Sequence, residues 1–210
     1  MKKVFVLVVL FVLPLVAYLF FASGVNNFGR LPVLTEQVPN LSDIDENVRV
    51  DDKITILGFL GNQIALRKGN AFNLNQKIYK RFSDFKDFQV VMVVPKGYQK
   101  EAESLKKELG KLSEVDKWRF AYGSEEEIKS FYKGLKTNLE LGEDLSTPYV
   151  FIIDKERNLR GRKDDEDEGV KYGFNTTSVA ELNNKMEDDV KIILAEYRLA
   201  LKKNNADRSK

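Results

Sequence analysis

The chain has 210 residues, contains no cysteine and no histidine, and carries a formal net charge of +2. The absence of both residue types excludes thiol redox chemistry and metal binding through thiolate or imidazole. Because Lys2 and Lys3 account for the net charge, the rest of the chain is formally neutral, which argues against nucleic acid or an anionic surface as a partner.

The first segment is an uncharged apolar run from Val4 to Ala22. A helix of this length crosses a hydrocarbon core, so we expect a transmembrane anchor over residues 4–22. Two lysines precede the run and the next charge is Arg30, which predicts a cytoplasmic N-terminus and a domain on the periplasmic or extracytoplasmic side of the cell membrane. The alternative is a cleaved signal peptide, because Ala22, Ser23 and Gly24 are small, although the apolar run is long for that class.

A linker is expected next, over residues 23–52, where glycine, asparagine, proline and a charged stretch show little sustained periodicity. We expect it to merge into the edge of one folded domain over residues 53–201. A polar tail, 202–210, closes the chain.

Within the domain, short apolar runs rich in β-branched residues alternate with amphipathic helical patterns. The expected strands are Lys53–Leu60, Phe88–Pro95, Trp118–Tyr122 and Pro148–Asp154. The expected helices have apolar stripes that begin at Ala71, Ala102, Ile128 and Leu182. Because a strand, helix, strand unit is parallel and right-handed, this alternation predicts an α/β domain.

Local signals refine two boundaries. The spacing of Ser124 and Glu127, and of Ser178 and Glu181, predicts a capping box at the start of two helices. The stretch from Asp154 to Asn158 predicts a turn into a hairpin strand over Leu159–Arg162, with Asn158 in the left-handed conformation.

The order of these elements resembles the thioredoxin fold, and more particularly the Sco (SenC-type) family of membrane-anchored copper chaperones for cytochrome oxidase. The resemblance covers about Lys53 to Tyr197 and rests on three segments, ITILGFLGNQIAL, WRFAYGSEEEIKSFY and STPYVFIIDKERNLRG. It implies a thioredoxin-like fold in which helices flank a central mixed sheet, behind one N-terminal transmembrane helix.

The functional positions of the family are not retained. The resemblance aligns its two cysteines with about Asn62 and Leu66, and its copper-binding histidine with about Ser146. Leucine has no donor atom, and asparagine and serine are weak ligands for soft copper. We therefore expect neither copper nor another cofactor.

The resemblance also aligns Thr147 and Pro148 with the cis-proline loop of thioredoxin-fold proteins. A trans proline at the start of a strand is the alternative. In either case Asn62, Gln63, Ser146, Thr147 and Pro148 are expected together at one end of the sheet, where ligands of open α/β sheets bind. We interpret this set as a degenerate site that binds a partner.

An acidic run, Asp164–Glu168, offers oxygen ligands suited to calcium. Five consecutive acids do not match a calcium-binding loop, so a solvated loop is the preferred interpretation.

The sequence thus favours a non-catalytic binding or assembly partner of envelope or membrane proteins. A hydrolase or metal-dependent enzyme using oxygen ligands, and a purely structural membrane protein, are the rival hypotheses.

Overall fold

The computed structural model describes residues 9–16, 18 and 29–208, with side chains up to residue 200. Residues 9–16 and 18 are helical. Within these ranges, no helix combines the length and the apolar character needed to cross a membrane. About half of the anchor expected over residues 4–22 lies outside the described residues.

A mixed β-sheet forms the centre of the domain, as the alternation of strands and helices predicts. Its strands are β1 (Val33–Thr35), β2 (Ile54–Leu60), β3 (Phe88–Pro95), β4 (Trp118–Gly123), β5 (Ser146–Ile153), β6 (Leu159–Arg160) and β9 (Phe174–Asn175). The order is β1-β6-β5-β2-β3-β4, with β9 paired to β5. Strands β2, β3 and β4 are parallel, whereas β5 runs antiparallel to β2, β6 and β9. A separate hairpin joins β7 (Arg162–Asp165) and β8 (Gly169–Lys171).

Helices cover both faces of this sheet. They are α1 (Ile64–Leu74), α2 (Gln99–Leu109), α3 (Glu125–Gly134) and α4 (Glu187–Arg208). Helices α1, α2 and α4 pack on one face, whereas α3 packs on the other. Two π-helical turns, Asn75–Tyr79 and Leu182–Met186, extend α1 and precede α4. The two layers bury β2 and β3 completely, which explains their nearly continuous apolar sequences.

The segment expected as a linker, 23–52, packs against the domain over much of its described part. Strand β1 pairs antiparallel with β6, and Val38, Leu41, Ile44, Val48 and Val50 are buried on the α3 face. These apolar residues are irregularly spaced and follow an irregular backbone, so no helical or strand period reveals their burial. The folded unit therefore begins well before residue 53.

Part of this segment also reaches the free edge of β4. There the Asp45 carboxylate accepts a hydrogen bond from the Tyr122 backbone N–H (3.2 Å). Burial, together with Glu103 and Asp45, raises the pKa of the Tyr122 hydroxyl to about 12.

The hairpin turn after β5 forms where expected, but its left-handed residue is Arg157 (φ 62°) and not Asn158. Asn158 is held instead by Asp154, which accepts hydrogen bonds from its backbone N–H (2.7 Å) and side-chain amide (3.1 Å). The Asn158 side-chain oxygen accepts a third from the Gln37 N–H (3.1 Å). These three bonds hold Asn158 in place, and the left-handed residue of the turn lies one position earlier, at Arg157.

One of the two capping boxes is complete. Ser124 and Glu127 exchange both hydrogen bonds at the start of α3. Ser178 accepts from the Glu181 N–H (3.2 Å), but the Glu181 carboxylate accepts from the Asn175 N–H (2.9 Å) and pairs with buried Lys171 (2.8 Å). The second box is therefore half formed, because a buried cation competes for its glutamate.

The acidic run forms the end of β7 and the turn that leads into β8. Most of it is exposed, in line with a solvated loop, but Asp165 is buried and pairs with Lys185 (2.7 Å). Burial, the largest single effect, opposes ionisation of Asp165, but the Lys185 ammonium and the Asp167 backbone N–H together outweigh it, so the pKa of the carboxyl is lowered. Nearby, Arg162 donates to both oxygens of Asp189 (2.8 and 2.9 Å), which fastens the hairpin to α4.

Candidate functional site

The first half of the degenerate site is the turn between β2 and α1. Gly61 ends β2 in the left-handed conformation (φ 65°). The next residue, Asn62, donates its backbone N–H to the Asp144 carbonyl (2.9 Å). Asn62 is half-buried and Gln63 is exposed. The turn thus leaves both predicted side chains at the surface.

The second half is the start of β5, where Ser146 lies opposite Leu60 in the antiparallel β2–β5 pair. This register brings Ser146 and the Asp144 loop next to Gly61 and Asn62. The two sequence segments of the predicted site are therefore adjacent in space, as the strand order implies.

Ser146 is the centre of a hydrogen-bonded cluster. Its hydroxyl lies 2.9 and 2.8 Å from the two Asp144 carboxylate oxygens, to which it donates, and accepts from the Arg67 Nε–H (2.9 Å). Asp144 also accepts from the Ser146 backbone N–H (3.1 Å). Ser146 is only 1% exposed. An aspartate and an arginine thus hold the buried hydroxyl in place, an arrangement that stabilises the loop and leaves the hydroxyl without access to a substrate.

Thr147 and Pro148 continue β5. The peptide bond between them is trans, and the described residues contain no cis peptide bond, so the alternative of a trans proline near the start of a strand is the one observed. Thr147 is buried, while the Pro148 carbonyl accepts from the backbone N–H (2.9 Å) and the hydroxyl (2.6 Å) of Thr176. The Pro148 carbonyl is therefore already used by the segment after β9 and is not available to a partner.

These residues do not fit the copper ion that the family resemblance implies. Leu66, at the position of the second cysteine, is 72% exposed and has no donor atom. Ser146, at the position of the histidine, is buried and already hydrogen-bonded to Asp144 and Arg67. The adjacent guanidinium also opposes the approach of a cation. Among the described residues, no group of three or more histidine, cysteine, aspartate or glutamate side chains is arranged to hold a metal ion.

Only a small cavity lies beneath the site. Its volume is about 10 Å³, and its walls include Arg67, Asn70, Thr147 and Thr176. The Asn70 side-chain nitrogen is buried and has no hydrogen-bond partner within the described part of the chain. A ligand pocket for a small molecule is usually at least about 300 Å³, so this cavity is too small to be one.

Sequence reasoning missed Arg67 and Asp144. A local signal for Asp144 exists, because an aspartate two residues before a serine often accepts the backbone N–H of that serine. Arg67 carries no such signal, since its partner Ser146 is 79 residues away in the sequence.

No protein-family model and no curated protein matches the amino-acid sequence. Solved structures match the fold. A SCO1/SenC family lipoprotein from Bacillus anthracis is 14% identical, with a TM-score of 0.51 over 78% of this chain and 99% of that chain. Two candidate electron transfer and electron transport proteins from Aquifex aeolicus are 20% and 18% identical, with TM-scores of 0.50 and 0.51. Both matches cover 76% of this chain, and they cover 92% and 96% of the Aquifex chains.

This similarity establishes that the domain has the thioredoxin-like fold found in a SCO1/SenC family protein. The resemblance inferred from the three sequence segments is thereby confirmed at the level of the fold.

Proposed function

We propose that the chain is a membrane-anchored, non-catalytic Sco-like protein that binds or assembles with other envelope or membrane proteins. Its N-terminal apolar segment is the anchor, and the domain lies on the extracytoplasmic side. The partner contacts the surface formed by Asn62, Gln63, Leu66 and Pro148. Ser146 and Thr147, which are buried, support this surface from beneath.

The observation that carries the proposal is the hydrogen-bonded cluster of Arg67, Ser146 and Asp144. It stands where the family resemblance aligns the copper ligand, and it uses the serine hydroxyl to fasten the loop. The turn at Gly61 and the β2–β5 register keep this end of the sheet in order, although no thiolate or imidazole remains. A well-ordered surface without reactive groups is suited to recognition rather than chemistry.

The shape of the site supports a macromolecular partner. The cavity below it is about 10 Å³, while Gln63 at the N-cap of α1 and Leu66 in its first turn are exposed. Protein interfaces bury exposed apolar side chains, such as that of Leu66, within a rim of polar side chains, such as that of Gln63.

The anchor is supported by the composition of the first segment and by its described residues. The helical residues 9–16 carry exposed apolar side chains, among them Leu10, Phe11 and Leu13. A helix that is apolar all round is stable when lipid or protein surrounds it.

A photo-crosslinking amino acid tests the recognition surface directly. We expect the full-length chain with this amino acid at Gln63 to form a discrete crosslinked species in intact membranes. The matched control carries it at Leu112, an exposed leucine outside the proposed surface. The double substitution of Asn62→Glu and Gln63→Lys, tested in the chain with the crosslinker at Leu66, should abolish the species. The melting temperature should stay nearly unchanged, because Gln63 is exposed, the Asn62 bond to Asp144 uses only the backbone N–H, and loop substitutions of this kind usually cost under about 0.5 kcal/mol.

Equal crosslinking from positions 63 and 112, or an unaffected product in the double variant, would move the interaction to another face. A crosslink only between copies of this chain would identify self-association instead of a different partner.

A further inference from the structure

An apolar groove lies at the end of the sheet where β2 and β3 begin. Its volume is about 260 Å³, and its lining includes Ile54 at the start of β2, Phe85 in the loop before β3, and Leu194 and Tyr197 on α4. The recognition surface follows the other end of β2, roughly 20 Å away along this seven-residue strand. The groove and the recognition surface therefore lie at opposite ends of the sheet.

Phe85 is held at the edge of this groove. Its side chain is 40% exposed, and the centroid of its ring lies 6.4 Å from that of Phe82. The Lys117 ammonium donates to the Phe85 carbonyl (2.9 Å), which fixes the loop. Because Phe85 is part of the apolar lining, the ring and the groove form one continuous apolar surface, a feature that marks contact sites for proteins or membranes.

The carboxylates close to the groove already have partners within the protein. Asp87 pairs with Lys155 and with Lys53, and the hydrogen bond from Lys155 lowers the pKa of the Asp87 carboxyl. The Glu156 carboxylate accepts a hydrogen bond from the Tyr197 hydroxyl. Both carboxylates are therefore occupied by groups of the protein itself.

The rim of the groove carries both signs of charge. Lys86 and Arg198 line the groove, are exposed, and form no ion pair among the described side chains. Asp84 is an exposed acid in the same loop as Lys86. This mixture matches a zwitterionic phospholipid better than a strongly anionic partner, because the lipid phosphate suits the two cations and the lipid ammonium suits the acid.

The chain enters the domain beside this groove. Leu31 is the first buried residue that the structure describes, and its carbonyl accepts a hydrogen bond from the Arg160 Nε–H (2.7 Å). The same guanidinium pairs with Glu196, the neighbour of Tyr197 on α4 (2.6 Å). One arginine thus joins the start of the domain to the helix that lines the groove.

The length of the N-terminal connection limits how far this part of the domain lies from the membrane. Leu31 is nine positions after Ala22, the last residue of the expected anchor. A connection of this length spans at most about 30 Å, whereas a domain of this size is about 40 Å across. The side at which the chain enters the domain is therefore held close to the membrane surface.

We propose that the groove end of the domain docks on the surface of the membrane that holds the anchor. Phe85 enters the boundary between headgroups and acyl chains, where aromatic side chains are favoured, and Lys86 and Arg198 extend to the lipid phosphates. The connection to the anchor keeps the effective concentration of lipid high, so a weak contact is sufficient. Docking turns the recognition surface away from the membrane. This inference rests on the anchor of the proposed function and adds an orientation to it.

The absence of cysteine from the chain allows a single fluorescent label to report this orientation. The full-length chain carries the fluorophore on Lys86→Cys or, as the matched control, on Lys100→Cys at the start of α2; both lysines are exposed. Each protein is reconstituted in phosphatidylcholine liposomes that contain a lipid with a nitroxide headgroup, which quenches only nearby fluorophores. We expect strong quenching at position 86 and weak quenching at position 100, because α2 begins at the other end of the sheet.

Phe85→Ser tests whether the aromatic ring holds the domain on the membrane. In the Lys86→Cys chain, it should lower the ratio of docked to undocked domains about tenfold, because the exposed part of the ring no longer leaves water. The matched control, Leu66→Ser, removes an exposed leucine at the opposite end of the sheet and should leave the quenching unchanged. Addition of anionic lipid should change the quenching little, since the charges of the rim are mixed.

Flotation of the liposomes tests the anchor separately. A chain that floats but is quenched equally at positions 86 and 100 has an anchor and no preferred orientation, which would overturn the docking alone. Unchanged quenching after Phe85→Ser, or quenching that requires anionic lipid, would also overturn it. A chain that does not float would overturn the anchor and, with it, this inference. The comparison of positions 86 and 100 decides the question even where Phe85→Ser unfolds the domain.

Discussion

Gly61 determines how β2 meets the Asp144 loop. Its backbone is left-handed (φ 65°), and a Cβ at this position would collide with the Asp144 carbonyl. Both effects act on the same turn that supports Asn62. The conformation of the recognition surface therefore depends on Gly61, a residue that has no side chain.

We predict that Gly61→Ala lowers the free energy of unfolding by at least about 2 kcal/mol, through left-handed strain and the collision with Asp144. The matched control is Gly69→Ala in the interior of α1, where an added Cβ has open space. That change should raise stability by about 0.5–1 kcal/mol, because alanine is the better helix former. Chemical denaturation measures both. Similar effects of the two substitutions would contradict the role given to the turn.

Residue-level predictions from sequence succeeded where the partner is local. The capping box of Ser124 and Glu127 is complete because both partners lie within one turn of α3. The residue type of Asn158 favours the left-handed conformation, but Asn158 is held by hydrogen bonds with Asp154 and Gln37, and Arg157 is the left-handed residue. Long-range hydrogen bonds, such as the one from Arg67 to Ser146, leave no pattern in a single sequence.

At the scale of elements, the β7–β8 hairpin shows how ion pairs replace apolar packing. Its only large apolar residue, Val170, is exposed, and the hairpin is held by Asp165 with Lys185 and by Arg162 with Asp189. Because Asp165 and Asp189 are buried, each pair is less screened by salt than a surface pair.

We predict that Asp165→Asn destabilises the protein by about 1–3 kcal/mol at neutral pH, because it leaves the Lys185 ammonium without its main partner. The folded-state pKa of Asp165 lies below its ordinary value of 3.8, so its contribution is present above that pH and lost as the pH falls through the folded-state pKa. Unfolding free energies measured between neutral pH and about pH 2 should therefore converge for the two proteins at the acidic end.

Asp164→Asn is the control for this prediction, since Asp164 is exposed beside it in the same hairpin. It should change stability by less than about 0.5 kcal/mol at any pH in this range. A constant difference between Asp165→Asn and the unmodified protein down to acidic pH would show that the charge of Asp165 does not stabilise the fold.

The elements themselves could be predicted where one periodicity dominates. Strands β2 and β3 are buried on both faces, so their sequences are apolar except for Thr55 and Gln89, which hydrogen-bond to each other (2.9 Å). The packing of residues 31–50 could not be predicted, because its buried residues are scattered among polar ones without a period. The burial of residues in an irregular segment can be recognised only when the position of the α3 face, against which they pack, is known.

At the scale of the whole molecule, the orientation of the chain remains to be measured. The charge distribution around the apolar segment predicts that a reporter active only outside the cytoplasm, fused after Lys210, is active. The full-length chain should stay with the membrane fraction. Activity of a cytoplasmic reporter at the same position would reverse the orientation, and release of a chain that begins near Val25 would instead indicate cleavage.

The α/β class followed from the order of strands and helices, and the thioredoxin-like fold followed from the resemblance that this order carries. The adjacency of Asn62 and Ser146 followed from the same argument. The side-chain arrangement of the site did not follow, since the cluster of Arg67, Ser146 and Asp144 depends on contacts between residues far apart in the sequence.

The two outer strands of the sheet have a consequence for the behaviour of many copies together. Strand β1 is only three residues long. At the edge of β4, the Asp45 carboxylate accepts a hydrogen bond from the Tyr122 N–H and adds a negative charge. Exposed strand edges recruit further strands, and short or charged edges resist this. If the proposed anchor confines the protein to a membrane plane, encounters between domains become more frequent, and short or charged edges of this kind disfavour strand pairing between copies.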